Sequence, residues 1–134
     1  MHICNASFRR TGRRWLELMI RVIIAGGRDF QDWDKLVDVC DRAFKDYPQI
    51  EIVSGVANGA DKLGELYANE RGHLIKQFPA DWDKYGKSAG YRRNAEMAEY
   101  AGALIAFWDG TSKGTSHMIN LAKEKGLKLL IIKY

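Results

Sequence analysis

From Arg21 onward, short unbroken apolar runs alternate with stretches of helical periodicity, the pattern of a parallel sheet whose two faces are both covered by helices. The run Val22-Ile23-Ile24-Ala25 offers no polar side chain to a solvent face, so it reads as a strand buried on both sides. Asp32 stands where a helix cap belongs, and Trp33, Leu36, Val37, Cys40 and Phe44 follow at helical spacing. Residues 50–53 form the second expected strand, and a glycine-rich turn leads from it into a helix over 61–71 that Gly72 closes. Residues 74–78 form the third strand, ended by Pro79. Residues 79–91 show no period and mix aromatics, lysines and glycines, so they read as a loop, and a loop of that length in a small domain is commonly functional. A helix over 92–101, a strand over 103–108, a helix over 115–125 stopped by Gly126 and a last strand over 127–132 complete the chain. Five strands and four helices joined by right-handed crossovers predict a Rossmann-like, doubly wound α/β fold of strand order 3-2-1-4-5.

A chain of 134 residues has room for one domain with a self-sufficient core. Its two cysteines, Cys4 and Cys40, have no metal-ligand or redox spacing, so no metal site is expected, and Cys40 reads as a buried thiol. No apolar run approaches the length of a membrane span, and a cytoplasmic protein is expected. The formal net charge is +4, but Arg9, Arg10, Arg13 and Arg14 face only Glu17 in the first eighteen residues. The remainder is nearly neutral, which argues against a phosphate-backbone interface and hence against nucleic acid as the partner. Residues 1–18 read as a basic leader, disordered or dispensable, ahead of a domain over 19–134, with Met19 an alternative start.

Open parallel sheets bind ligands beyond the carboxyl ends of their strands, where the winding direction reverses. Three turns reach that edge. The first carries Gly26, Gly27 and Arg28, the glycines permitting close backbone approach and the arginine able to pair with a phosphate. The second carries Ser54, Gly55, Asn58, Gly59 and Asp61 directly before a helix, where backbone N–H groups make an anion site. Asp61 could cap that helix or accept bonds from a ribose hydroxyl. The third carries Trp108, Asp109, Gly110, Lys113, Gly114 and Thr115, again before a helix. Arg93 and Asn94 open a helix that faces the same crevice, and Trp82, Tyr85 and Tyr91 either stack on a base or seal the sheet edge, with Lys84 and Lys87 nearby for phosphates. Arg92 reads as solvated, and His117 as a helix-surface or supporting residue. Together the turns imply a nucleotide or nucleotide-derived small molecule as the partner, with no cofactor besides, and leave room for a homo-oligomer.

The segments Ile23-Ile24-Ala25-Gly26-Gly27-Arg28-Asp29-Phe30, Ser54-Gly55 with Gly59-Ala60-Asp61, Ala80-Asp81-Trp82-Asp83-Lys84-Tyr85-Gly86-Lys87 with Arg93-Asn94, and Phe107-Trp108-Asp109-Gly110 with Gly114-Thr115 resemble the YspA-like branch of the SLOG superfamily over residues 20–134. That superfamily includes DNA-processing protein A, the LOG phosphoribohydrolases, and sensor domains of antiphage defence that bind ADP-ribose-type signals. The resemblance implies a Rossmannoid fold and a nucleotide-derived ligand. Val56 and Asn58 stand where relatives often have a glycine and a basic residue, so the second turn is expected to hold its anion less tightly. Aligning Gly114-Thr115 with the LOG motif PGGxGTxxE places Met118 at the catalytic glutamate, and a thioether neither moves a proton nor steadies an oxocarbenium ion. A binding module that senses or sequesters a nucleotide signal is therefore the first expectation. A LOG-like hydrolase is the alternative and a DNA-handling protein the third.

Overall fold

The computed structural model describes residues 19–134, so the expectations for the leader lie outside the described residues. Five parallel strands, β1 (Met19–Gly26), β2 (Gln49–Ser54), β3 (Leu74–Gln77), β4 (Ala103–Trp108) and β5 (Lys128–Lys133), form one sheet of order β3-β2-β1-β4-β5. The long helices are α1 (Trp33–Phe44), α2 (Ala60–Arg71), α4 (Ala89–Tyr100) and α5 (Lys113–Lys125), with a one-turn helix α3 (Trp82–Tyr85) and a 3-10 turn over Gly86–Ser88 between α2 and α4. The architecture is the expected Rossmann-like one.

Two hydrophobic cores flank the sheet because alternate strand residues point to opposite faces. Val22 and Ile24 of β1 pack with Leu36, Cys40 and Phe44 of α1 and Tyr67 of α2, whereas Ile23 and Ala25 pack with Met97 of α4 and Met118 and Ile119 of α5. The central strands are apolar on both sides for this reason. Cys40 is the buried thiol expected, and burial drives its pKa far upward. Asp32 caps α1 by accepting the Lys35 N–H at 3.1 Å.

The expectation of an unstructured segment over 79–91 is corrected. Asp81 caps α3 by accepting the Lys84 N–H, the Ser88 hydroxyl donates to the Tyr85 carbonyl, and the chain runs on into α4, which starts at Ala89 rather than Arg92. Residues of α3 are not buried, so no apolar stripe marks these turns in the sequence. Helix α5 likewise begins at Lys113, two residues early, and β3 ends at Gln77. No helix among the described residues is long and apolar enough to cross a membrane.

Candidate functional site

The carboxyl ends of β1, β2 and β4 carry the three turns to one edge of the sheet. The first two turns are locked together there. The Gly27 carbonyl accepts from the N–H groups of Phe30 (3.2 Å) and Ala60 (3.3 Å), and the Gly27 N–H donates to the Phe107 carbonyl of β4. Gly59 lies against this carbonyl at φ 79°, and a Cβ there would stand 2.2 Å from the Gly27 oxygen. Gly59 is therefore a close-packing residue.

Most of the second turn's polar groups are engaged internally. Ser54 is fully buried and borders neither the cavity at this edge of the sheet nor the lobe beside it. Its hydroxyl donates to Glu65 Oε2 at 2.6 Å and accepts the Val56 N–H at 3.0 Å, while Gln77 donates to Glu65 Oε1. The Ala57 N–H donates to Asp61 Oδ2 at 3.2 Å, and the Ala60 N–H is used by Gly27. The expectation of an anion cradle formed by this turn's amides is corrected in part: those of Val56, Ala57 and Ala60 already have partners inside the protein. The capping role for Asp61 is corrected too. The cap position is Gly59, without a side-chain bond, and Asp61 instead ties down the turn that precedes its helix.

Val56 holds this turn at φ 66°, the left-handed region that costs a β-branched residue roughly 1–2 kcal/mol. The Ser54–Glu65–Gln77 hydrogen bonds over-determine the turn and keep it there. Val56→Gly should raise stability by about 1 kcal/mol, the relief of strain exceeding the added entropy of the unfolded chain. Urea unfolding checks this, and a midpoint at or below that of the parent would show that the Val56 side chain is not strained.

Arg93 and Asn94 bridge the second and third turns. The Arg93 guanidinium donates through Nη1 to the Gly55 carbonyl and through Nε to Asn94 Oδ1 (3.0 Å), and Asn94 Nδ2 reaches the Gly114 carbonyl (3.3 Å) and His117 Nδ1 (3.2 Å). His117 stacks edge-on against Tyr91 at 4.5 Å and supports Asn94, as expected of a supporting residue. In the third turn Asp109 Oδ1 accepts the N–H groups of Thr111 and Ser112, both at 2.8 Å, which holds its carboxyl below the usual range. The Trp108 indole donates to the Ser112 carbonyl.

These contacts enclose a cavity of about 460 Å³. Of the expected residues it gathers Gly26, Gly27, Arg28, Asp61, Arg93, Asn94, Asp109, Gly114 and Thr115. Gly55 and Asn58 border an adjoining lobe of about 310 Å³, which shares Arg28 and Arg93 with the first. Trp108, Gly110 and Lys113 are not brought to this cavity; they border a separate opening with Tyr91 and His117. Residues of the two openings alternate along the turn, Asp109, Ser112, Gly114 and Thr115 bordering the first cavity and Trp108, Gly110, Thr111 and Lys113 the other. Tyr85 is likewise placed elsewhere, its ring under the guanidinium of Arg92 at 4.4 Å and the amine of Lys84 at 5.1 Å. Arg92 is thus a packing partner of Tyr85 as well as an exposed cation.

The sequence reading did not name Ala25, Asp29, Ala57, Met97 or Ser112 as site residues, and it treated Met118 only as the residue at the position of the LOG glutamate. Met97 follows Arg93 and Asn94 by one turn, and Met118 follows Gly114 and Thr115 by one turn, so helical i, i+3 and i, i+4 spacing would have found both. Asp29 is different. It accepts the Tyr134 hydroxyl at 2.6 Å across the length of the chain, and no local signal announces that pairing.

Asp61 is the titrating group of the cavity. It is only 6 % exposed, and burial, opposed by the Ala57 N–H and by Arg93, pushes its carboxyl up to about 6. The folded chain therefore holds this proton more tightly than the unfolded chain, whose value is near 3.8. By linkage the Asp61 contribution makes stability fall as pH rises from about 4 to about 6, by an amount on the order of 2–3 kcal/mol. Asp109 and Asp41, whose carboxyls are held low, act with the opposite sign. The check is consequently a difference: unfolding free energy followed from pH 4 to 7 should fall less, or rise more, in Asp61→Asn than in the parent. Parallel curves would refute the assignment.

Three comparisons bear on this arrangement. The model of the YspA, cpYpsA-related SLOG family matches residues 20–85, which carry the first two turns and the segment through α3. The Gene 61 protein of Mycobacterium phage D29 is 36% identical over 123 residues, covering 84% of this chain and 95% of the phage protein. Among solved structures, the X-ray structure of DNA processing protein A from Streptococcus pneumoniae superposes with a TM-score of 0.68 at 18% identity, over 90% of this chain and 52% of that one. This chain thus spans about half the length of that protein, and the likeness is one of fold. The sheet order, the turn motifs and the phage relative agree: the chain belongs to the YspA, cpYpsA-related SLOG family.

Proposed function

We propose that the cavity beyond β1, β2 and β4 binds a phosphate-bearing, nucleotide-derived small molecule such as an ADP-ribose derivative, and that the protein senses or sequesters it in the cytoplasm. The observation that carries this reading is the meeting of Arg28 and Arg93 with the start of α5 in one cavity. A guanidinium pairs with phosphate oxygens through paired N–H groups. The first N–H groups of α5, at Lys113, Gly114 and Thr115, lack intrahelical acceptors and carry the positive end of the helix dipole. Asp61, against the same cavity, is a natural acceptor for a ribose hydroxyl. Calorimetric titration with ADP-ribose tests the reading: Arg28→Gln should weaken binding by about tenfold, and unchanged affinity would remove Arg28 from the site.

A binding role is favoured over hydrolysis by Met118. It is buried and lines the cavity, where a phosphoribohydrolase would present a carboxylate to the positive charge that builds on the ribose. Incubation of AMP with the protein should release adenine and ribose 5-phosphate no faster than background by chromatography. Release at enzymatic rates that Asp61→Asn abolishes would overturn this and make Asp61 the stabilising carboxylate. As for DNA, the fold likeness to DNA processing protein A leaves the expectation against nucleic acid, drawn from charge alone, without support. A DNA-binding role has no observation of its own here.

A further inference from the structure

The cavity has a second lobe, and the two share their boundary. Both are bordered by Arg28, Ala57 and Arg93, so the two arginines belong to both lobes. Arg93 is already bound to Gly55 and Asn94. Arg28 makes no ion pair among the described residues, and its charge adds to the burial that lowers the Arg93 pKa. Two neighbouring cations, one of them without a counter-charge, suit an anion between them.

Beyond these shared residues the second lobe is bordered by Gly55, Val56, Pro79 and Ala80, by the amide side chain of Asn58, and by Trp82. Trp82 is 52 % exposed. The edge of its indole lies beside Gly90 of α4, where a methyl group would touch it at 3.4 Å, and about half of the residue is open to solvent. Of the three aromatic residues in this stretch, Trp82 alone borders the lobe, since Tyr85 packs under Arg92 and Tyr91 against His117. An exposed indole beside these arginines suits a flat base, because every base has a face to stack.

We infer that the site takes a two-part ligand whose pyrophosphate lies between Arg28 and Arg93, with a nucleobase stacked on Trp82 in the second lobe and a ribose in the first. This rests on the proposed nucleotide reading of the first cavity and adds to it the position of the base. No residue of the one-turn helix that carries Trp82 is fully buried, so its replacement should leave the fold intact, which circular dichroism checks.

Titrations with ribose 5-phosphate, AMP and ADP-ribose separate the possibilities. In the parent, ADP-ribose should bind at least about tenfold more tightly than ribose 5-phosphate and should quench tryptophan fluorescence. Trp82→Ala should lose about tenfold in ADP-ribose affinity while ribose 5-phosphate binding stays unchanged. Trp82→Phe should keep most of the affinity, since a phenyl ring still stacks, but lose the quench. If ribose 5-phosphate binds and Trp82→Ala binds ADP-ribose as tightly as the parent does, the stacking lobe is wrong and the first-cavity reading stands. If none of the three compounds binds, the first-cavity reading falls and the lobe falls with it.

Discussion

Gly114→Phe should bind ADP-ribose roughly a hundredfold more weakly than the parent, a loss of about 2.7 kcal/mol, and should unfold at the same urea concentration or slightly higher. A Cβ built on Gly114 meets no atom within 4 Å, yet Gly114 lines the cavity beyond β1, β2 and β4. Gly114 is exposed at the border of the cavity, so a benzyl group there has room to lie across its mouth, over the first N–H groups of α5. The fold is not threatened, because Gly114 has no left-handed backbone angle and lies in a helix. Replacing a helical glycine removes unfolded-state entropy worth up to about 1 kcal/mol. Gly114→Ala supplies the graded control: a methyl group should cost only a few-fold in affinity. Gly55 is a poorer probe, since a Cβ there would stand 2.7 Å from Arg93 Nη1 and 2.8 Å from Asp61 Oδ2 and would disturb both side chains. Calorimetry on parent, Gly114→Ala and Gly114→Phe decides the matter, and unchanged affinity in the phenylalanine variant would place the ligand elsewhere.

Gly59→Ala should do the reverse, destabilising the whole domain by more than about 3 kcal/mol, a large share of the 5–15 kcal/mol that holds a domain together. Gly59 combines φ 79° with ψ −127°, a region that only glycine visits readily and that costs other residues roughly 1–3 kcal/mol. In addition, the new Cβ would stand 2.2 Å from the Gly27 oxygen and 2.6 Å from the Arg28 carbonyl carbon. Backbone cannot swing aside as a side chain can, so the first turn or α2 must move. Gly72→Ala separates the two causes. Gly72 also has a positive φ, 72°, but a Cβ there meets nothing within 4 Å, so only the left-handed conformation is penalised, at about 1 kcal/mol. Urea unfolding of the two variants should therefore differ by at least about 2 kcal/mol. Equal losses would mean that the contact between the first two turns adds nothing to stability.

The contrast between these two glycines shows where local reading stops. The strand order, the two-faced core and the caps at Asp32, Gly72 and Gly126 were legible in the chain, because each follows from periodicity or from the backbone preference of a single residue. Residues Arg28, Asp61, Arg93 and Gly114 were legible as site candidates because strand ends in a parallel sheet converge by topology. The interior of each turn was not. Ser54 and Gly59 have the composition of ligand-binding residues, but their groups are directed at Glu65 and Gly27, eleven residues or more away in sequence. Trp108 and Lys113 share a turn with Gly114, yet they border a different opening. Sequence by itself determined that this protein would be a doubly wound sheet with three small-residue turns at one edge, since hydrophobic period and backbone conformation act over a few residues. Tertiary structure alone decided which of those polar groups are turned toward the cavity and which are spent inside the protein, because hydrogen bonds between distant segments fix where a side chain points and use up part of what it can donate or accept.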